Sequence, residues 1–170
     1  MALLFGRRAE AALPLAPEAV DAGEYAIIPA GSEDLPGMDR IEREAFSTPW
    51  SLDLMRGALA NHRYRVRVMR GRHGRPIAFY IAHTTDNLSN LDNLAVTASS
   101  RRQGCGRRLV VDWIGHARRQ RLAALTLQVN TRNQAAELLY RTFSFRRVRL
   151  LAGYYPNGED AYQMERELSL

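Results

Sequence analysis

Apolar positions along the chain change period several times, and each change marks an element. Residues 1–22 are rich in Ala, Leu, Pro and Glu and keep no clean period, which predicts an N-terminal extension ahead of a single domain over 23–170. Glu24 to Ile28 alternates as a strand does. Ser32-Glu33-Asp34 is a helix-start signal, and Leu35, Met38, Ile41, Ala45 and Phe46 make one apolar face behind it. Pro49-Trp50 ends that helix, and Ser51 caps a second carrying Leu52, Leu54, Met55, Ala58 and Leu59. Tyr64, Val66 and Val68 alternate with Arg65, Arg67 and Met69, so a half-buried strand follows. Gly71-Arg72-His73-Gly74 turns the chain into a partner strand from Ile77 to His83, and Leu88 to Val96 is the next strand. Leu109, Val110, Trp113, Ile114 and Ala117 recur at helical spacing, and Leu122 to Val129 is a short buried strand. Thr131 with Gln134 fits a capping box for a last helix. Phe145 to Ala152 and Asp160 to Glu167 are two final strands around a Tyr-Tyr-Pro-Asn-Gly loop. The order β-α-α-β-β-β-α-β-α-β-β predicts an α/β (α+β) fold, a mixed sheet of about six or seven strands with helices on both faces.

One interruption of this pattern carries chemistry. Arg101-Arg102-Gln103-Gly104-Cys105-Gly106-Arg107-Arg108 joins the strand ending at Val96 to the helix that starts near Leu109. Glycine lets a backbone approach a ligand, and the free N–H groups and dipole of a helix start attract an anion. The arginines favour a polyphosphate over a single carboxylate. The spacing is not G-x-x-x-x-G-K-S/T, and it is not G-x-G-x-x-G with an acidic residue about 20 positions on. A nucleoside-triphosphate loop and a dinucleotide fold are therefore both disfavoured. A tight strand–helix turn with solvated arginines is the plain alternative.

Composition narrows the picture. The 170 residues carry a net charge of +6, held by arginine, which suits a polyanionic ligand or partner or an acidic substrate. Much of that charge is expected around the turn, at Arg101, Arg102, Arg107, Arg108, Arg118, Arg119 and Arg121. No aromatic-interleaved basic motif appears, so no specific nucleic acid is expected as a partner. No apolar run approaches the roughly 20 residues of a membrane span. Met1-Ala2-Leu3-Leu4-Phe5 precedes its arginines, the wrong order for a secretory signal. One cysteine excludes a disulfide framework, and His62, His73, His83 and His116 have no ligand spacing with it, so no metal is expected. A cytoplasmic setting is the expectation. Cys105 reads as a small packing residue.

Four ordered motifs resemble a known family. Arg101, Gly104 and Gly106 fill the R/Q-x-x-G-x-G/A pattern, which resembles the acetyl-CoA pyrophosphate loop of the GCN5-related N-acetyltransferases. Phe46-Ser47-Thr48-Pro49-Trp50-Ser51 is similar to the F-x-x-P-W-S segment of ribosomal-protein-alanine N-acetyltransferases. Asn133 to Tyr140, followed by Phe143-Ser144-Phe145, is similar to their N-x-x-A-x-x-L-Y…G-F segment. Gly153 to Met164 is close to the G-Y-Y-x-x-G-E-D-A-Y-x-M tail of protein N-terminal acetyltransferases. The matches run in order from about Tyr25 to the C-terminus.

The resemblance implies the same element order and a V between the strands ending at Val96 and Val129, in which acetyl-CoA lies. It implies cofactor contacts from Leu94, Ala95 and Val96 on a bulged strand, from Arg101, Arg102, Gln103, Gly104, Cys105, Gly106 and Arg107 in the turn, and from Asn133 and Tyr140. Bulges free backbone N–H groups that can steady an oxyanion. Tyr140 falls on the family's general acid, and its phenol is suited to protonating a thiolate. Phe46, Trp50, Gln128, Tyr154 and Tyr155 are the acceptor-site candidates, and Glu159 and Asp160 either hold an α-ammonium or fix the hairpin turn.

The chain departs from the family at Leu127-Gln128-Val129-Asn130, where L-E-V-R is usual and the glutamate is a main base candidate. An amide cannot take the amine proton. Asp92, in Leu91-Asp92-Asn93-Leu94-Ala95-Val96, is the best substitute, because the strand resembles the I-E-D-L-A-V strand of other acetyltransferases in the superfamily. The bland alternative is a strand-end aspartate paired with an arginine. Glu159 through a bound water, or Tyr155, are rival bases. The leading expectation is an acetyl-CoA-dependent acetyltransferase of a protein N-terminus, of the ribosomal-protein-alanine type. A small-molecule amine acetyltransferase and a catalytically weak acyl-CoA-binding module are the alternatives; the sequence leaves the oligomeric state open.

Overall fold

The structure, a computed structural model, describes residues 25–71 and 73–168. The extension expected over residues 1–22, Glu24 of the first expected strand and Arg72 of the expected turn lie outside the described residues. The elements are β1 (Ile27–Pro29), α1 (Leu35–Ala45), α2 (Leu52–Ala60), β2 (Tyr64–Arg70), β3 (Pro76–Thr85), β4 (Leu88–Val96), α3 (Cys105–Arg119), β5 (Ala124–Asn130), α4 (Gln134–Arg141), β6 (Arg146–Leu151) and β7 (Ala161–Glu167). The order is the one the hydrophobic pattern predicts.

The strands form one seven-stranded sheet in the order β1-β2-β3-β4-β5-β7-β6. Every neighbouring pair is antiparallel except β4 and β5, which run parallel because α3 carries the chain across one face between them. Side-chain alternation sends Phe79 and Ile81 of β3 to a core shared with Met38, Ile41 and Met55 of α1 and α2. It sends Tyr80 and Ala82 to a second core with Leu109, Trp113 and Tyr140 of α3 and α4. The two helical layers thus cover opposite faces.

Three details differ from expectation. Asn133, not Thr131, caps α4: its Oδ1 accepts from the Ala136 N–H at 3.1 Å. Ser144 stands where the resembled segment has glycine, yet it takes the left-handed conformation at φ +65. Arg118 and Arg119 lie in the last turn of α3, and at 1.5 Å per residue that is about 20 Å from its start. Those arginines, with Arg121 just beyond them, are not part of the turn's charge.

Candidate active site

The site begins where two strands part. β4 and β5 pair only from Leu88↔Ala124 to Leu91↔Leu127, whereas β5 stays paired with β7 as far as Asn130↔Ala161. From Asp92 to Val96, β4 therefore keeps β3 on one side and nothing of β5 on the other. In an antiparallel ladder alternate backbone groups point away from the partner, so here they point into the gap. This is the V that the resemblance implies. The bulge lies earlier than Leu94 and Val96, where it was expected. Ala82 pairs with Leu91 and Ile81 with Asn93, which leaves Asp92 as the extra residue. A bulge bends its strand, and this one falls where the parallel ladder ends. Its effect is to send Asp92 and Asn93, adjacent in sequence, to the same face.

The turn after β4 is built mainly from backbone. Gly104 sits at φ +79, and nothing lies within 4 Å of where its Cβ would be. α3 then starts without a side-chain cap, so its first N–H groups are free to meet a ligand. A Cβ on Gly106 would stand 3.4 Å from Leu139 Cδ2, so glycine here lets α3 lie close to α4. Several side chains expected to grip the cofactor instead hold the turn. Arg101 Nε donates to the Val96 carbonyl at 3.0 Å, and Gln103 Nε2 to the Ser99 carbonyl at 2.9 Å. Cys105 is buried, which pushes its thiol up, and it packs as the sequence suggests. Arg107 lies over the Phe143 ring at 4.9 Å, and Arg108 donates to the Tyr25 carbonyl. Arg102 is exposed, in the left-handed region at φ +62.

The V opens into a cleft of about 860 Å³. Phe46 and Trp50 of the loop between α1 and α2 form one wall, and Tyr154 and Tyr155 of the hairpin between β6 and β7 form the other. The two tyrosine rings meet edge to face, 5.1 Å apart. Leu94, Gln128, Asn133 and Tyr140 also line it. Ala95 packs instead toward α1 and α2. Tyr140 is 7% exposed, with its ring against Phe145. Burial, helped by nearby Tyr155, holds its phenol well above the ordinary value. It stays protonated and fits an acid, not a base. Burial likewise pushes Tyr155 up to about 12, so it too is held protonated.

The sequence missed Glu42. This α1 carboxylate is 1% exposed at the edge of the cleft. Its Oε1 accepts from the Trp50 N–H and its Oε2 from Asn93 Nδ2, each at 2.9 Å. Burial raises its pKa, and those two bonds offset part of the rise. Glu42 thereby ties the aromatic loop to the parted segment of β4.

The two expected carboxylates differ sharply. Glu159 accepts from Asn130 Nδ2 at 2.6 Å, Arg132 at 2.8 Å and Asn157 Nδ2 at 3.0 Å. Its bonds to Asn157 and Asn130, and then the charge of Arg132, hold its carboxyl below the usual range. It braces the hairpin against β5 and is poorly suited to take a proton. Asp160 closes the same hairpin, accepting from the Gly153 N–H at 2.8 Å. Asp92 faces the cleft, and no arginine pairs with it among the described residues. Its Oδ1 accepts from Asn90 Nδ2 at 2.7 Å, and His83 Nδ1 lies 2.6 Å from its Oδ2. Gln128 Nε2 reaches Asn90 Oδ1 at 3.4 Å. Asn133 is used as a helix cap, with its amide edge at the cleft. Among the described residues no group of His, Cys, Asp and Glu is arranged to hold a metal ion. No helix among them is long and apolar enough to cross a membrane.

A sheet that parts between β4 and β5, a glycine turn at the mouth of the V and a cleft behind it make the arrangement that the resemblance implies. Comparison with known proteins agrees. The acetyltransferase (GNAT) domain model matches residues 24–168. The [ribosomal protein bS18]-alanine N-acetyltransferase of Escherichia coli K12 is 31% identical over 140 residues, covering 81% of this chain and 93% of that protein. The crystal structure of the E. coli ribosomal-protein-S18-alanine N-acetyltransferase superposes with a TM-score of 0.79 over 86% of this chain and 95% of that one. Ard1 from Thermoplasma volcanium, 21% identical, superposes at 0.81 over 86% of this chain and 99% of its own. The NatC complex bound to Gag peptide and CoA, 21% identical, superposes at 0.77 over 86% and 99%. The chain belongs to the GNAT family and is an N-acetyltransferase by class.

Proposed function

We propose that this chain transfers acetyl from acetyl-CoA to the α-amine at the N-terminus of a protein, with a ribosomal protein as the substrate class. The observation that carries this reading is the cleft itself. It lies between two aromatic walls, Phe46 with Trp50 and Tyr154 with Tyr155, and a carboxylate without an arginine, Asp92, sits at its side. An extended chain end fits such a slot, with its amine next to Asp92. The 31% identity to an enzyme named for a ribosomal protein alanine supports the same substrate class. A cytoplasmic setting accords with it.

The turn fits the elongated, anion-headed coenzyme. Gly104 leaves space at its surface, the first N–H groups of α3 lack a side-chain cap, and Arg102 and Arg107 stand beside them. When bound, acetyl-CoA supplies an activated acetyl thioester. Backbone N–H groups on the unpaired edge of β4 steady the oxygen on which charge develops. Asp92 removes a proton from the acceptor ammonium, and Tyr140 donates its proton to the departing sulfur. Gln128 orients groups and takes no proton. The test is acetylation of short peptides with varied first residues, alongside small amines, followed by mass spectrometry. Acetyl on the α-amine of peptides, with Ala-first sequences preferred, is the expected result. Turnover of small amines alone, or CoA binding without acceptor turnover, overturns it.

A further inference from the structure

Asp92 is the one residue of β4 left outside the ladder at the bulge, so backbone pairing does little to fix where its carboxylate points. Side chains from two strands do that instead. Asn90 Nδ2 donates to Oδ1 at 2.7 Å, and His83 Nδ1 lies 2.6 Å from Oδ2. A carboxylate that serves as base only accepts, so that role requires the hydrogen of the second contact to be on Nδ1. Asn90 is oriented in turn, because Gln128 Nε2 donates to its Oδ1 at 3.4 Å. Every donor in the chain Gln128–Asn90–Asp92–His83 points toward Asp92. His83 does not line the cleft; it stands behind Asp92, with the Tyr64 ring of β2 5.5 Å from its own. Ionisable groups that share the cleft with Asp92 are Glu42, Tyr140, Tyr154, Tyr155 and Glu159, and burial, with the charge of Asp92 second, pushes the Tyr154 phenol up.

We infer that His83 is a positioning residue for acetyl transfer: with Asn90 it clamps the Asp92 carboxylate so that the lone pairs left over face the acceptor amine. The inference rests on Asp92 as the base. It also gives Gln128 a reason to be an amide. A glutamate there would set an acceptor against Asn90 Oδ1, turn the Asn90 amide over, and leave an acceptor facing Asp92. The loss of the family glutamate and the gain of Asp92 are then one change, not two.

The experiment compares kcat and KM for an accepted peptide in His83→Phe, His83→Asn, Asp92→Asn and the double variant His83→Phe/Asp92→Asn. Phe keeps the ring against Tyr64 and has no donor, whereas Asn places an N–H near the position of Nδ1. Because misplacement by about 1 Å costs roughly 10²-fold, His83→Phe is expected to lower kcat by about tenfold or more, with CoA affinity and Tm near the parent. His83→Asn recovers most of the loss, and His83→Phe adds nothing in the Asp92→Asn background. Gln128→Glu lowers activity. Nitrogen-15 shifts of the parent's imidazole, which need no variant to fold, show the hydrogen on Nδ1. Parent-like kcat in His83→Phe, an additive loss in the double variant, or hydrogen on Nε2 alone overturns the inference while Asp92 stands as base. Full activity in Asp92→Asn overturns both.

Discussion

The two halves of the cleft are made of different material. The half proposed to face the coenzyme is mostly backbone: the unpaired edge of β4, the left-handed Gly104 and the first amides of α3. The half proposed to face the acceptor is mostly side chain, brought from α1 and the loop after it, β4, β5 and the last hairpin. A backbone site needs a few residue types at fixed spacing, because only they permit the conformation. A side-chain site needs a set of atoms in space, and different residues can supply it. The first kind holds its sequence signature; the second can be assembled from different residues.

Four measurements would break or sharpen that contrast. Asp92→Asn strikes the acceptor half alone. General-base catalysis contributes about 10² to 10⁴-fold, so kcat should fall by that order while CoA affinity by calorimetry is unchanged. Full activity would leave the acceptor half without a base. Tyr140→Phe comes next. It removes one hydroxyl and keeps the ring against Phe145, so kcat should drop roughly tenfold or more with little change in Tm. A collapse of Tm would return Tyr140 to a purely structural role.

Gly104→Ala strikes the coenzyme half. The new methyl meets no protein atom within 4 Å, yet φ is +79. Left-handed backbone costs a non-glycine residue about 1–2 kcal/mol, so Tm should fall by a few degrees. CoA should bind more weakly, by calorimetry, if the phosphates lie against this peptide. Undiminished binding would move the phosphates elsewhere. Glu159→Gln should have the smallest effect, a slightly higher KM and an unchanged kcat. Its carboxyl is held below the usual range in the folded protein. The stability it contributes is therefore present above its unfolded pKa and lost as pH falls through its folded one. In Glu159→Gln that part of the acid slope of Tm against pH should vanish, and an identical slope would count against the bracing role.

Legibility in the sequence followed the same division. The element order came through because apolar period tracks buried faces, and the turn came through because Arg101 to Arg108 is contiguous. The acceptor half was scattered. His83, Asn90 and Asp92 meet only through the register of β3 on β4, and a bulge shifts that register by one. Nothing local in the sequence announces such a bulge. Glu42 had a usable signal: it lies four residues after Met38 and three before Ala45, on the apolar stripe of α1. Its neighbours in the run Glu42-Arg43-Glu44 are those of a solvated face. Ser144 hid in the opposite way, since its left-handed backbone is one that sequence assigns to glycine.

The bulge has a consequence for how such an enzyme changes over generations. Asn90 faces the acceptor side, Leu91 the α3 core, Asn93 the acceptor side again and Leu94 the core. Take Asp92 out of that series and the alternation on either side is already intact. The residue is a syncopation, a beat added to a rhythm that closes without it. Backbone pairing, which ties almost every other position in β4, makes no demand on this one; its partners are the side chains of Asn90 and His83. Selection on turnover can therefore vary the side chain at 92 without disturbing the ladder, the residues at 83 and 90 that hold it changing alongside.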